Sequence, residues 1–255
     1  MIPAYPYATA AAFGAIIGSF LNVCIYRLPR GRSVVWPSSA CPHCNRLLPW
    51  FENVPVVSYV VLRGRCRACA ASISARYPIV EALTAVMFAL GWWYCGPGPL
   101  LASRLLFGCG LIVLFAIDLE HHLLPNAITL PGIVLGFAFS FITEPGWFAS
   151  LAGILLGGGL LYLVAEAYYR IRHEEGLGMG DVKMLAMIGA FVGWKLTLVT
   201  LMMASLSGSA IGLTLIVVRR GSLKYALPFG TFLALGAAVA ATAGTSLLDW
   251  YLGLW

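Results

Sequence analysis

Eight apolar stretches run along this chain, at about 8–26, 78–95, 100–117, 127–142, 147–169, 182–194, 196–217 and 226–252, and they constrain the fold more than any motif does. A helix needs about 20 apolar residues to cross the hydrocarbon core of a bilayer. Stretches 127–142 and 182–194 are short, so flanking residues must complete them. Only 10% of the 255 residues are charged and 60% are hydrophobic, where a soluble domain carries roughly 25% charge. A soluble protein of this size still has to cover its surface with polar side chains, so the missing charge means that much of the solvent is lipid. The fold expected is an all-α polytopic membrane protein with about eight transmembrane helices. Glycine runs such as Leu156-Gly157-Gly158-Gly159 suit close helix approach in a membrane. No internal sequence repeat is visible.

The first stretch is read as a retained span. A secretory signal carries positive charge ahead of its apolar region, and here the first Lys or Arg is Arg27.

Basic residues set the orientation. Arg27, Arg30, Arg32, Arg46, Arg63, Arg65, Arg67 and Arg76 lie in the 27–76 segment. Arg170, Arg172 and Lys183 flank the fifth and sixth stretches, and Arg219, Arg220 and Lys224 lie between the last two. With alternating spans these sites share one side, which then holds fourteen of the sixteen Lys and Arg residues. Arg104 and Lys195, on the other side, can snorkel to the interface. By the positive-inside rule the basic side is cytoplasmic, which leaves both termini periplasmic. The net charge of +6 is then mostly topology, with anionic lipid headgroups as a second use of it. No nucleic-acid module accompanies the basic loop, so nucleic acid is not expected as a partner.

The 27–76 segment is the one sizeable piece outside the apolar stretches. It contains Cys41-Pro42-His43-Cys44 and Cys66-Arg67-Ala68-Cys69. Two CxxC pairs at this separation read as a four-cysteine zinc-ribbon-like site with Cys41, Cys44, Cys66 and Cys69 as ligands. About 50 residues bury too little apolar surface to fold unaided, so zinc or a related thiophilic metal is a reasonable staple. Two disulfides are the alternative, which a reducing cytoplasm disfavours. The chain thus divides into a first span (1–26), a cytoplasmic metal-binding loop (27–76) and a transmembrane region (77–255).

With only ten acidic residues, each is informative. Glu81, Asp118, Glu166 and Asp181 fall at or inside span boundaries, where a carboxylate costs a few kcal/mol and function is the default explanation. Asp118 ends the third stretch and Asp181 opens the sixth, so on this topology both face the cytoplasm. Paired carboxylates in a confined site share a proton, one acting as base toward water and the other as acid toward a carbonyl. Asp181 closes the sequence Gly178-Met179-Gly180-Asp181, whose glycines let backbone approach a bound peptide closely. A helix cap is the plainer reading of Asp181. It suits Asp118 less, because an acid at a helix C-terminus opposes the macrodipole.

Together these residues resemble a known family. Gly18-Ser19-Phe20-Leu21-Asn22-Val23 with Tyr26-Arg27-Leu28-Pro29, the two CxxC pairs, and Trp50-Phe51-Glu52-Asn53-Val54-Pro55 are similar to landmarks of the type IV prepilin peptidases. So are Arg76-Tyr77-Pro78 with Glu81, Asp118 ahead of Leu124-Pro125, the GxGD motif ending at Asp181, and Pro228-Phe229-Gly230. The resemblance implies a bifunctional enzyme of the bacterial inner membrane. Such an enzyme cleaves the leader of type IV prepilins and secretion pseudopilins and then N-methylates the new amino terminus with S-adenosylmethionine. It carries the catalytic aspartates over to Asp118 and Asp181 and the metal cysteines to Cys41, Cys44, Cys66 and Cys69. Asn126 departs from the family pattern, where Asp often follows the Leu-Pro pair.

No glycine-rich βαβ signature announces a nucleotide pocket. Asn22, Arg27, Glu52 and Glu81 lie where a cytosolic methyl donor can reach. Their plainer roles are an interhelical hydrogen bond for Asn22 and a buried partner of Arg27 or Arg76 for Glu81. A non-enzymatic transporter or assembly scaffold with a structural zinc loop is the alternative from another class. It would use Glu81, Asp118 and Glu166 as ion sites.

Overall fold

A computed structural model describes residues 5–173, 178–219 and 227–253. Among them the chain is helical and has no strand beyond two isolated bridges. The elements are α1 (Tyr5–Arg27), α2 (Val57–Val61), α3 (Arg76–Cys95), α4 (Pro99–His121), α5 (Asn126–Phe139), α6 (Trp147–Arg172), α7 (Met179–Arg219) and α8 (Phe229–Leu252). Arg220 and Lys224, which entered the charge asymmetry, lie outside the described residues.

Among the described residues six helices, α1, α3, α4, α6, α7 and α8, are long and apolar enough to cross a membrane. Their outward faces carry large apolar side chains such as Phe13, Ile16, Leu83, Val86 and Leu163, all exposed, as expected of a surface solvated by lipid. The chain is a multi-pass membrane protein. The fourth stretch forms the 14-residue α5. The sixth and seventh remain two helices, divided by a kink at Gly193 and carried under the one label α7. Its 41 residues amount to about 60 Å of helix at 1.5 Å per residue, about twice the roughly 30 Å hydrocarbon core, shared between the two halves. It is interrupted at Gly193, whose φ of 76° and ψ of 169° lie in a region that glycine alone enters without strain.

The chain divides into two compact units, Met1–Val113 and Leu114–Trp255. In the first, α1 lies against α3 through two glycines one turn apart. A Cβ on Gly14 would stand 2.8 Å from Phe88 Cβ, and one on Gly18 would stand 2.7 Å from Glu81 Cα. Between these helices the 28–75 segment forms two matching knuckles. In each, the backbone bridges across a CxxC pair, Ala40 to Leu47 and Arg65 to Ser72. The residue after the second cysteine, Asn45 or Ala70, takes a positive φ. The match is a structural repeat of two short turns that share little beyond their cysteines.

In the second unit α6 and α7 cross at Gly153 and Gly189, whose backbones touch. Ser150 Oγ donates to the Ala190 carbonyl at 2.7 Å. Small residues at such a crossing gain close packing where lipid supplies no hydrophobic drive. The first half of α7 is the most buried helix segment of this unit, with Met184, Leu185, Met187, Ile188 and Ala190 closed to solvent.

Candidate active site and metal centre

Asp118 sits three residues before the end of α4 and is buried. Its Oδ2 accepts the N–H of Thr231 at 2.7 Å. Thr231 belongs to the first turn of α8, which Pro228 opens in extended conformation (φ −68°, ψ 99°). The first N–H groups of a helix have no partner inside it and carry the positive end of its dipole. The end of α8 thereby offsets the unfavourable place of Asp118 in its own helix. Gly230 makes the approach feasible, since a Cβ there would lie 2.9 Å from Asp118 Oδ2.

Asp181 lies in the first turn of α7 as its third residue, so it is not the N-cap. Its carboxylate reaches back to the N–H of Gly178 in the manner of the acidic arm of a capping box. The charges of Asp118 and Asp181 act directly on each other. Leu124, in the turn between α4 and α5, holds the arrangement. A Cβ on Gly180 would be 2.9 Å from Leu124 Cβ, and one on Gly230 would be 3.0 Å from its Cδ1. The starts of α7 and α8 therefore close on one leucine beside the two carboxylates. Lys183 Nζ donates to Asn126 Oδ1 at 3.0 Å, tying α7 to the start of α5. Glu166 stands apart, in an i,i+4 ion pair with Arg170 at 2.8 Å.

The four cysteines of the knuckles converge, with all their Sγ atoms within 4.8 Å of one another. Cys41 and Cys69 Sγ are 3.8 Å apart, the separation that a tetrahedral ion with bonds of about 2.3 Å imposes on its sulfurs. The thiols are free and the set fits zinc. N–H groups of Cys69 and Ala68 point at Cys66 and hold its thiol down at about 6, which favours the thiolate that a metal requires. Arg46 and Arg67, one on each knuckle, both engage the carboxylate of Glu52.

Beside the knuckles lies a cavity of ≈ 580 Å3 lined by Asn22, Arg27, Glu52 and Glu81 among others. This is the size range of small-molecule sites, about 300–1,000 Å3. Arg27 spends its guanidinium on the carbonyls of Ser33 (3.0 Å) and Pro37 (2.7 Å). Glu81 accepts the N–H of Val56 at 2.7 Å and a hydrogen bond from Ser19. Asn22 Nδ2 donates to the Tyr77 carbonyl at 3.0 Å, the interhelical bond expected of it, while its Oδ1 has no partner.

Comparison with known proteins decides the family. Residues 12–95 match the model of the bacterial peptidase A24 N-terminal domain, and residues 105–213 match that of the type IV leader peptidase family. The chain belongs to the type IV leader peptidase family. It is 36% identical to a prepilin leader peptidase/N-methyltransferase of Aeromonas hydrophila, over 98% of this chain and 95% of the relative. A namesake from Stutzerimonas stutzeri is 34% identical over 95% of the chain and 92% of its own length. One from Legionella pneumophila is 33% identical over 99% and 96%. No solved structure matches the chain.

As a type IV leader peptidase the chain is a membrane enzyme, and its structure gathers the residues singled out by sequence into two places. Asp118, Asp181, Gly178 and Gly180 fall in the second unit. The four cysteines with Asn22, Arg27, Glu52 and Glu81 fall in the first. Sequence reasoning missed Thr231 and Val56, because a backbone N–H leaves no residue-type signal, and it named Leu124 only as part of a motif, without its packing role.

Proposed function

We propose that this enzyme removes the leader peptide of type IV prepilins or secretion pseudopilins by an aspartate dyad, Asp118 and Asp181, and N-methylates the new amino terminus. The observation that carries the reading is the meeting of these two carboxylates beside the first turns of α7 and α8. With one proton between them, the ionised member takes a proton from a water as that water attacks the scissile carbonyl. The protonated member donates to the carbonyl oxygen. The proton taken from water then passes to the departing amine as the C–N bond breaks. Thr231 N–H occupies Asp118 Oδ2, so the other oxygen of this carboxylate is the one left to face water. The glycines of Gly178-Met179-Gly180 keep the approach to Asp181 open for an extended peptide.

The 27–76 loop is assigned to methyl transfer and the 77–255 region to peptide cleavage. The cavity in the first unit has the size for S-adenosylmethionine, and Asn22, Arg27, Glu52 and Glu81 would hold it. When bound, it supplies an electrophilic methyl group on a sulfonium. Zinc on Cys41, Cys44, Cys66 and Cys69 has a structural part, because all four ligand positions are thiolates and no site is left for a reacting water. Through Arg46 and Arg67 the metal-bound knuckles fix Glu52 at the cavity wall.

The chain is placed in the bacterial inner membrane, with both termini periplasmic and the cysteine loop cytoplasmic among anionic lipid headgroups. Mass spectrometry of a co-expressed prepilin tests both activities at once. The product should lack its leader and carry one added methyl group, and an intact prepilin would refute the reading.

A further inference from the structure

Among the side chains that α1 and α3 bring to the cavity, which include Arg27 and Arg76, Asn22 and Glu81 supply hydrogen-bond acceptors. Asn22 is 2% exposed, and its amide orientation is set by Tyr77, whose carbonyl can only accept the Nδ2 hydrogen. Oδ1 is thereby left at the cavity as a buried acceptor without a partner. Ser19 lies one helical turn before Asn22 on the same face, and its hydroxyl donates to Glu81. Glu81 lies one turn after Tyr77 on α3, so the two helices bring Asn22 and Glu81 to the same cavity. Glu81 is buried at 8% exposure. It is held by the N–H of Val56, a β-branched residue at φ 61°, a conformation that such residues rarely adopt.

A ligand group that meets Asn22 Oδ1 and Glu81 together must donate. A carboxylate or phosphate would set acceptor against acceptor at these two residues, and an alkyl group would leave Asn22 Oδ1 unsatisfied. Of the arginines that line the cavity, Arg27 is turned to Ser33 and Pro37, Arg30 to the carbonyl and ring of Tyr26, and Arg76 lies over the ring of Tyr77. We infer that Ser19, Asn22 and Glu81 form a subsite for a primary ammonium group, which Glu81 pairs in charge and Asn22 Oδ1 holds in direction. The inference rests on the cavity serving methyl transfer. Two amines belong to that reaction: the amino terminus exposed by cleavage, and the amino group on the methionyl part of the donor.

Binding to full-length, metal-loaded protein in detergent separates the sources. One pair of probes is S-adenosylhomocysteine and its analogue lacking the amino group. The other is a peptide of the mature pilin amino terminus, free or N-acetylated. The wild type should bind the amine-bearing member of one pair about tenfold tighter or more, and Glu81→Gln should reduce that ratio to about twofold. The pair that shows the effect identifies the amine. Ser19→Ala, which removes one hydroxyl and adds no bulk, is the second variant and should lower the ratio about threefold. Bound metal per chain reports folding for both variants. Ratios near one in the wild type, or a ratio unchanged in both variants, overturn the subsite. Prepilin methylation is scored on the same wild-type preparation. Its absence alongside an intact ratio defeats the methyl-transfer reading alone, and methylation by an amine-blind pocket defeats the subsite alone.

Discussion

Thr231 N–H donates to Asp118 Oδ2 at 2.7 Å, a bond that spans 113 residues of sequence and joins the start of α8 to the end of α4. A hydrogen bond to a charged group is worth about 1.5–3 kcal/mol, so its loss should lower leader cleavage about 10- to 100-fold. Thr231→Pro deletes the donor at a helix position that tolerates proline. Thr231→Ser keeps the donor and should cleave at close to the wild-type rate. Initial rates of prepilin cleavage by the two variants check this.

Asp118→Asn and Asp181→Asn preserve size and polarity while removing the ionisable group. Each should reduce cleavage by about 10³-fold or more, and the double variant should be scarcely worse, because the two act as a unit. Glu166→Gln and Asp249→Asn should retain activity, since Glu166 is engaged with Arg170 away from the dyad. Near wild-type cleavage by either aspartate variant in properly inserted protein would remove the dyad from the mechanism and make Glu81 the next acid to test.

Gly230→Ala places a methyl group 2.9 Å from Asp118 Oδ2, and Gly180→Ala places one 2.9 Å from Leu124 Cβ. Both displace the dyad by a fraction of an ångström. Misplacement of about 1 Å costs about 100-fold, so a 10- to 100-fold loss of cleavage with unchanged protein yield is expected. Rates measured at saturating prepilin should show the loss.

Cys41→Ser or Cys66→Ser should release the metal and loosen the loop, whose folding draws on the order of 10 kcal/mol from thiolate ligation. Methylation should fall more than cleavage, because Arg46 and Arg67 carry the knuckles to Glu52 at the cavity, whereas Asp118 and Asp181 belong to the other unit. Elemental analysis and the two product masses report these effects separately. Protein purified under reducing conditions with no metal would count against the site.

The proposed orientation rests on the charge asymmetry and has its own test. Single cysteines placed near Asp118 and Asp181 should both be labelled from the cytoplasmic face by a membrane-impermeant reagent. Labelling from opposite faces would break the dyad and the topology together.

Much of this was legible in the sequence, where residue type alone carries the physics. Scarce charge and long apolar runs leave a membrane as the only compatible solvent. Four cysteines in two CxxC pairs specify their ligand set by chemistry, and a carboxylate at a span boundary is too costly to be incidental. The residue pattern said less about how apolar stretches join. Stretches 182–194 and 196–217 read as two elements and are two helices, but what divides them is a kink at Gly193 rather than a loop.

Other features were settled only by tertiary structure, because each depends on atoms that any residue carries or on a distance between remote positions. Thr231 serves Asp118 through its backbone N–H, Leu124 serves as a common stop for Gly180 and Gly230, and Asn22 Oδ1 is an orphan only because Tyr77 claims the other end of its amide. Composition and spacing therefore determined the solvent, the four-cysteine cluster that could hold a metal, and the scarce acids. Helix packing decided what holds the two aspartates that the sequence had paired, and which buried acceptor still awaits a donor.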